Sequence, residues 1–167
     1  MLSMCSRGCA PTNDTQHTAE LPGSSAPPET PRTSELPARW TGPLPDAAVF
    51  AYLSEVEADG TVRYVTEGLL RAIHRAETPA PRNYRTTWPW RSFARKDARP
   101  MPRGEPQLLR FALLPTAWRF SAGSRIRLSI AGADADHFVQ TPHGRPPVLT
   151  VLSGGERASV LELPAVG

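Results

Sequence analysis

An alternation of polar and aliphatic side chains over residues 125–130 constrains the fold of this chain more than any other feature. The stretch reads RIRLSI, and a period of two is typical of a β-strand that has one face in a core. The predicted buried face consists of Ile126, Leu128 and Ile130, and the outer face consists of Arg125, Arg127 and Ser129.

Turn residues divide the rest of the chain into short segments. The 19 prolines and 12 glycines favour many turns over long helices. Strand-like runs flank Asp59-Gly60 and Gly154-Gly155, which predict two β-hairpins, and Gly68 is a predicted bulge in the first. With a further strand in residues 106–115, six strands without a helical period predict an all-β fold: an antiparallel sandwich or jelly roll.

The first 43 residues differ in composition from the remainder. Residues 1–43 are rich in Pro, Ser and Thr and poor in large apolar side chains, so we expect a disordered leader before a sandwich over residues 44–167. Cys5 and Cys9 are predicted to be free thiols, because no second pair completes a zinc site. No apolar run has membrane-spanning length or resembles a secretory signal, which favours a cytoplasmic protein.

Asp134, Asp136 and His137 are the most obvious candidates for chemistry. Carboxylates and imidazole can bind a metal or relay a proton, but adjacent strand residues point to opposite faces. We favour turn capping by the aspartates. No G-x-S-x-G elbow supplies a nucleophile that His74 or His143 could activate. We therefore predict no catalytic, cofactor-binding or metal-binding residue in this chain.

Residues 71–103, which we call the basic loop, mix arginines with aromatic rings. Grooves for single-stranded nucleic acid use these ingredients, but arginine is abundant along the whole chain, which disfavours that interpretation. We expect instead that the rings pack on the sandwich and that the arginines between them are solvated. The residues concerned are Arg82, Arg85, Arg91, Arg95 and Arg99, with Tyr84, Trp88, Trp90 and Phe93.

Three motifs carry a resemblance to a known family. They are YVTEG at 64–68, PRGE at 102–105 and LLPTAWRFSAGSRIRLSIAGAD at 113–134. Residues 44–164 resemble the C-terminal domain of the X-Pro dipeptidyl-peptidase and cocaine esterase (CocE/NonD) serine hydrolases. Ser124 departs from the pattern, because the family usually has histidine there.

The resemblance implies a jelly-roll, galactose-binding-like sandwich that packs beside an α/β-hydrolase domain. The Ser, Asp and His of the triad belong to that other domain, and none maps onto this sequence. We expect a non-catalytic module of an esterase or X-Pro dipeptidyl-peptidase, truncated at its N-terminus relative to the family and inactive alone.

The same resemblance suggests how the chain behaves without its partner. Exposed edges and the rings of Trp88, Trp90 and Phe93 are expected to cause self-association. The alternative function is a stand-alone binding module for carbohydrate or, through the basic loop, for an anionic polymer.

Overall fold

The computed structural model describes residues 17–22, 35–40, 46–85, 88–141, 143–144, 148–152 and 158–164. Its strands are β1 (His17–Pro22), β2 (Glu35–Trp40), β3 (Ala48–Val56), β4 (Val62–Arg71), β5 (Pro106–Arg110), β6 (Arg125–Ala131) and β7 (Leu149–Val151). Two single-turn 3-10 helices, η1 (Ala72–His74) and η2 (Arg95–Asp97), lie in the basic loop. No helix within these ranges combines the length and apolar character needed to cross a membrane.

The strands form two antiparallel sheets. The first sheet has the order β1-β6-β3-β4, and the second has the order β5-β2-β7. Within each sheet, every pair of neighbouring strands is antiparallel. The prediction of an all-β antiparallel sandwich is therefore confirmed.

The core lies between the two sheets. Ile130 is buried in it, Leu128 packs against it, and Arg125 on the same strand is exposed. The predicted inner face of β6 is thus confirmed at Leu128 and Ile130, but burial does not alternate along the strand, because Ile126, Arg127 and Ser129 are all half-buried. The buried cluster comprises Ala47, Val49, Ala51, Leu70, Ala72, Met101, Leu109, Phe111 and Ile130.

The hairpin of β3 and β4 turns at the predicted dipeptide. The N–H of Gly60 donates to the carbonyl of Glu57 at 2.9 Å. Gly60 has a φ of +89°, a conformation that glycine adopts without steric cost. The first predicted hairpin is confirmed.

The bulge in this hairpin is not at Gly68, as the sequence predicted. Leu53 pairs with Thr66 and Ser54 with Tyr64, which leaves Val65 as the extra residue. Gly68 serves a different purpose, because a Cβ there would lie 2.5 Å from the carbonyl oxygen of Ala112. The glycine lets residues 112–113 cross closely over β4.

Two of the seven strands lie within residues 1–43, for which the sequence predicts no regular structure. β1 pairs with β6, and β2 lies between β5 and β7. The rest of that range, with Cys5 and Cys9, lies outside the described residues. So does Gly154-Gly155; the N–H of Ser159 donates to the carbonyl of Leu152 at 2.8 Å, so the segments before and after it lie side by side at this point.

Candidate docking surface

Asp134 caps the turn that follows β6. Its Oδ1 accepts the backbone N–H groups of Asp136 and His137, both at 3.1 Å. Its Oδ2 accepts the hydroxyl of Tyr52 at 2.5 Å, a hydrogen bond that lowers the pKa of Asp134. Burial and the same hydrogen bond raise the pKa of Tyr52. Turn capping is the role that the sequence favoured, and it is confirmed for Asp134.

Of the other candidate side chains, that of His137 meets Asp134 in this turn, and those of His74 and His143 lie elsewhere. Asp136 contributes only its backbone N–H to the turn, and the residue is exposed. The Nδ1 of His137 lies 3.2 Å from Asp134 Oδ1. His74 packs against the ring of Phe93, and His143 lies in an exposed turn. Among the described residues, no group of three or more metal-ligating side chains is clustered.

Sequence reasoning missed Glu55, a carboxylate that is only 1% exposed. It lies on β3, two residues after Leu53 and hence on the same side of the strand. Its Oε1 accepts the N–H of Ser121 at 2.6 Å, and its Oε2 accepts the indole N–H of Trp118 at 2.8 Å. The Ser121 N–H is the main cause that lowers the pKa of Glu55 to about 2, and the side chains of Ser124 and Trp118 add to it.

Ser124 therefore belongs to this buried network. Its hydroxyl donates to the carbonyl of Ser121 at 2.8 Å, and the residue is buried. Because charged groups are costly to bury unless they are hydrogen-bonded, the network fixes the loop of residues 115–124 over one end of the sandwich. The only sequence signal for this network was the position of Glu55, an acidic residue two places after the apolar Leu53 in a predicted strand.

The basic loop is attached to the sandwich through arginines. Arg75 donates to the carbonyl oxygens of Arg99 at 2.5 Å and Pro100 at 3.2 Å, and to the side chain of Gln107 at 3.2 Å. Arg91 is 7% exposed and donates to the carbonyl oxygen of Arg110 on β5. A guanidinium has five N–H donors, which suits it to gather several carbonyls.

Two of the aromatic rings are exposed, contrary to the expectation that they pack on the sandwich and in line with the expectation that they form an exposed surface. Phe93 is 63% exposed and Trp88 is 43% exposed. Trp90 is half-buried and packs on Tyr84, with 4.5 Å between the ring centroids. The expected arrangement is inverted at Arg91 and Phe93, because the arginine supplies donors to buried carbonyls and the ring does not.

Phe93, whose ring meets that of His74 three residues after β4, and the turn after β6 lie at the same end of the first sheet. β4 ends at Arg71, opposite the start of β3 at Ala48, and β6 ends at Ala131, opposite Phe50. Both following segments therefore leave the sheet at the same end. The turn brings Phe138 to this end, 5.1 Å from Phe50 between ring centroids. Exposed apolar side chains on two segments that leave the sheet at one end, Phe93 on the first and Phe138 on the second, are typical of an interaction surface.

Charge also distinguishes the basic loop. Residues 71–103 contain nine basic and two acidic side chains, a net charge of +7, whereas the whole chain carries +3. The remainder of the chain is therefore acidic overall. We define the docking surface as the exposed part of the basic loop together with residues 132–141.

Comparison with known proteins identifies relatives of this fold. The family model described as the X-Pro dipeptidyl-peptidase C-terminal non-catalytic domain matches residues 38–162. Proteins named putative serine esterase from Mycobacterium bovis and Mycobacterium tuberculosis are 46% identical over 121 residues. That match covers 72% of this chain and 19% of each relative.

Solved structures agree on the fold. Two crystal structures of a CocE/NonD family hydrolase from Staphylococcus aureus superpose with TM-scores of 0.63 and 0.64 at 17% and 16% identity. The superpositions cover 92% and 93% of this chain but 33% of each hydrolase chain. The chain thus spans about a fifth of the esterases and a third of the hydrolase structures that it matches.

Proposed function

Since the chain belongs to the family of X-Pro dipeptidyl-peptidase C-terminal non-catalytic domains, we propose that it serves a CocE/NonD-type serine hydrolase by docking on its α/β-hydrolase domain. The observation that supports this most directly is the coverage of the relatives. The matched segment is 19% of each esterase, so most of each relative lies outside it.

In the proposed assembly, the domain that carries the catalytic residues is not this sandwich. A serine hydrolase needs a nucleophile, a base that activates it and donors for the oxyanion. In the proposed assembly the α/β-hydrolase domain provides all three, and the sandwich holds and shapes the surroundings of that site. The mycobacterial relatives are named as esterases, so we propose an ester as the substrate, with an X-Pro peptide bond as the other acyl bond to test.

The binding-module alternative has weaker support. An anionic polymer would need the arginines of the basic loop to point toward it. Arg75 and Arg91 are instead engaged with backbone carbonyls of this chain. An anionic ligand could therefore reach fewer positive charges than the number of basic residues in the loop suggests.

A chimera tests the proposed function. In the M. bovis relative, the matching 121-residue segment is replaced by the corresponding segment of this chain. We expect the chimera to hydrolyse p-nitrophenyl acetate faster than the relative with that segment deleted, because the docked sandwich completes the enzyme. Equal rates for the chimera and the deletion variant would contradict the proposal.

A further inference from the structure

Phe93 has a backbone conformation that bulky residues avoid. Its φ is +53°, and it is the only non-glycine residue in the described part of the chain with a positive φ. In this region the Cβ of an L-residue crowds its own backbone, which costs free energy. Such a conformation persists only when the surrounding structure imposes it, and strained residues of this kind concentrate at functional sites.

The neighbours on both sides of Phe93 impose the conformation. On one side, Arg91 is buried and bound to the carbonyl of Arg110. The hydroxyl of Ser92 ties this side to the other: it donates to Asp97 Oδ2 at 2.6 Å and accepts the N–H of Ala94 at 3.1 Å. The chain must turn sharply between these fixed points, and the turn directs the ring of Phe93 outward.

The ring gains little from burial in return for this strain. It is 63% exposed, and its one ring-to-ring contact within the described part of the chain is with the His74 imidazole, at 5.5 Å between ring centroids. A large apolar side chain normally stabilises a fold by leaving water. Here the strain holds an exposed aromatic ring in a fixed position, and a pre-ordered side chain is one that loses less entropy on binding.

We infer that Phe93 is the anchor of the docking surface and that it inserts into an apolar, acid-rimmed pocket on the α/β-hydrolase domain. The inference rests on the proposed function and identifies where that contact is made. Arg95 and Lys96, which are exposed and follow the ring closely in the chain, favour an acidic rim around the pocket, because complementary charges orient and stabilise an interface.

Two substitutions separate the strain from the ring. Phe93→Ala removes the ring and keeps a Cβ in the strained conformation, whereas Phe93→Gly removes both. In the isolated chain, we expect the thermal midpoint of F93G to lie about 2–4 °C above that of F93A, after allowance for the greater flexibility of unfolded glycine. If the midpoint of F93G were equal to or below that of F93A, the backbone conformation of residue 93 would not be strained.

Docking is measured in the chimera by limited proteolysis of the junction between the hydrolase portion and the sandwich. The cleavage rate follows the population of undocked molecules when docking is fast. We expect F93A and F93G to raise this rate by about 30-fold, as for the loss of a hot-spot aromatic residue, and Phe93→Tyr to restore slow cleavage. Leu108→Ala is the matched control, because Leu108 is an exposed apolar residue on β5.

Two further substitutions test whether the rim of the pocket is acidic. Arg95 lies in the basic loop, and Arg119 lies in the loop at the other end of the sandwich; both are exposed. We expect Arg95→Glu to accelerate cleavage and Arg119→Glu to leave it unchanged, and we expect added salt to accelerate cleavage of the unmodified chimera.

The outcomes distinguish the inference from the proposed function. A chimera no more active than the deletion variant overturns the proposed function. An active chimera in which F93A and F93G are cleaved as slowly as L108A overturns the anchor role of Phe93 and leaves the proposed function standing. Rapid cleavage of both variants, with F93G more stable than F93A, supports the inference, because lower stability then cannot explain the loss of docking.

Discussion

At the scale of single residues, Glu55 makes the stability of the sandwich depend on acid pH. Its carboxylate is buried and accepts hydrogen bonds from Ser121 and Trp118. The pKa of Glu55 is lowered from 4.5 to about 2 in the folded chain. The unfolded chain therefore binds a proton at a higher pH than the folded chain does, and stability falls where their proton contents differ.

We expect the contribution of Glu55 to be complete above about pH 4.5 and to be lost as the pH falls toward about 2. Glu55→Gln cannot titrate, so it should reduce the fall in unfolding free energy over this range and be less stable than the parent at neutral pH. Urea unfolding at stepped pH measures both effects. Asp136→Asn, at an exposed residue, is the control; an acid dependence in E55Q as steep as that of D136N would contradict the assignment.

Single residues are also where sequence reasoning failed. The sequence left two expectations for Phe93, packed on the sandwich or exposed, and the ring is exposed; the burial of Arg91 was not expected at all. Arg91 is buried because the carbonyl oxygen of Arg110 beneath the loop needs a hydrogen-bond donor, and the guanidinium of Arg91 supplies one. Such a demand depends on how distant segments meet, and no local pattern encodes it. Asp134 was predictable because its capping partners lie within three residues.

At the scale of elements, strands with their own local signals could be predicted and strands without them could not. β3 and β4 flank a strong turn dipeptide, and β6 alternates strictly. β1 and β2 are short and contain Pro22 and Pro37, and proline removes a ladder donor. Their order comes from pairing with distant strands, which a local pattern does not show.

Deletion of residues 1–43 tests the role of these two strands. β2 pairs with both β5 and β7, so its removal takes the central strand from the second sheet. We expect the thermal midpoint to fall by about 10 °C or more, equivalent to at least ~2 kcal/mol. Deletion of residues 1–16, which retains both strands, is the control. An unchanged midpoint in the longer deletion would show that the sandwich does not depend on β1 or β2.

At the scale of the whole molecule, the two ends of the sandwich differ in character. One end is closed by the buried carboxylate of Glu55 beneath residues 115–124. The other end presents the docking surface, with its exposed rings and positive charge. This polarity fits a domain that contacts a larger partner at one end.

We expect the isolated chain to associate with itself. β4 is an edge strand of the first sheet, and Val62 and Tyr64 near its start are exposed. We expect size-exclusion chromatography with light scattering to give a mass above that of one chain. Tyr64→Lys should shift the population toward monomer, because an edge lysine opposes strand pairing. A monomeric parent chain that binds no hydrophobic dye would contradict this expectation.

The central claim is that this domain supports catalysis without performing it, and the purified chain tests it most directly. Hydrolysis of p-nitrophenyl acetate and of an X-Pro p-nitroanilide is followed at neutral pH, with the full-length M. bovis relative as the positive control. We expect the rate with the isolated chain to equal the buffer rate, because a triad and its oxyanion hole must act together. Turnover by the isolated chain that disappears when a single serine is replaced would contradict the claim.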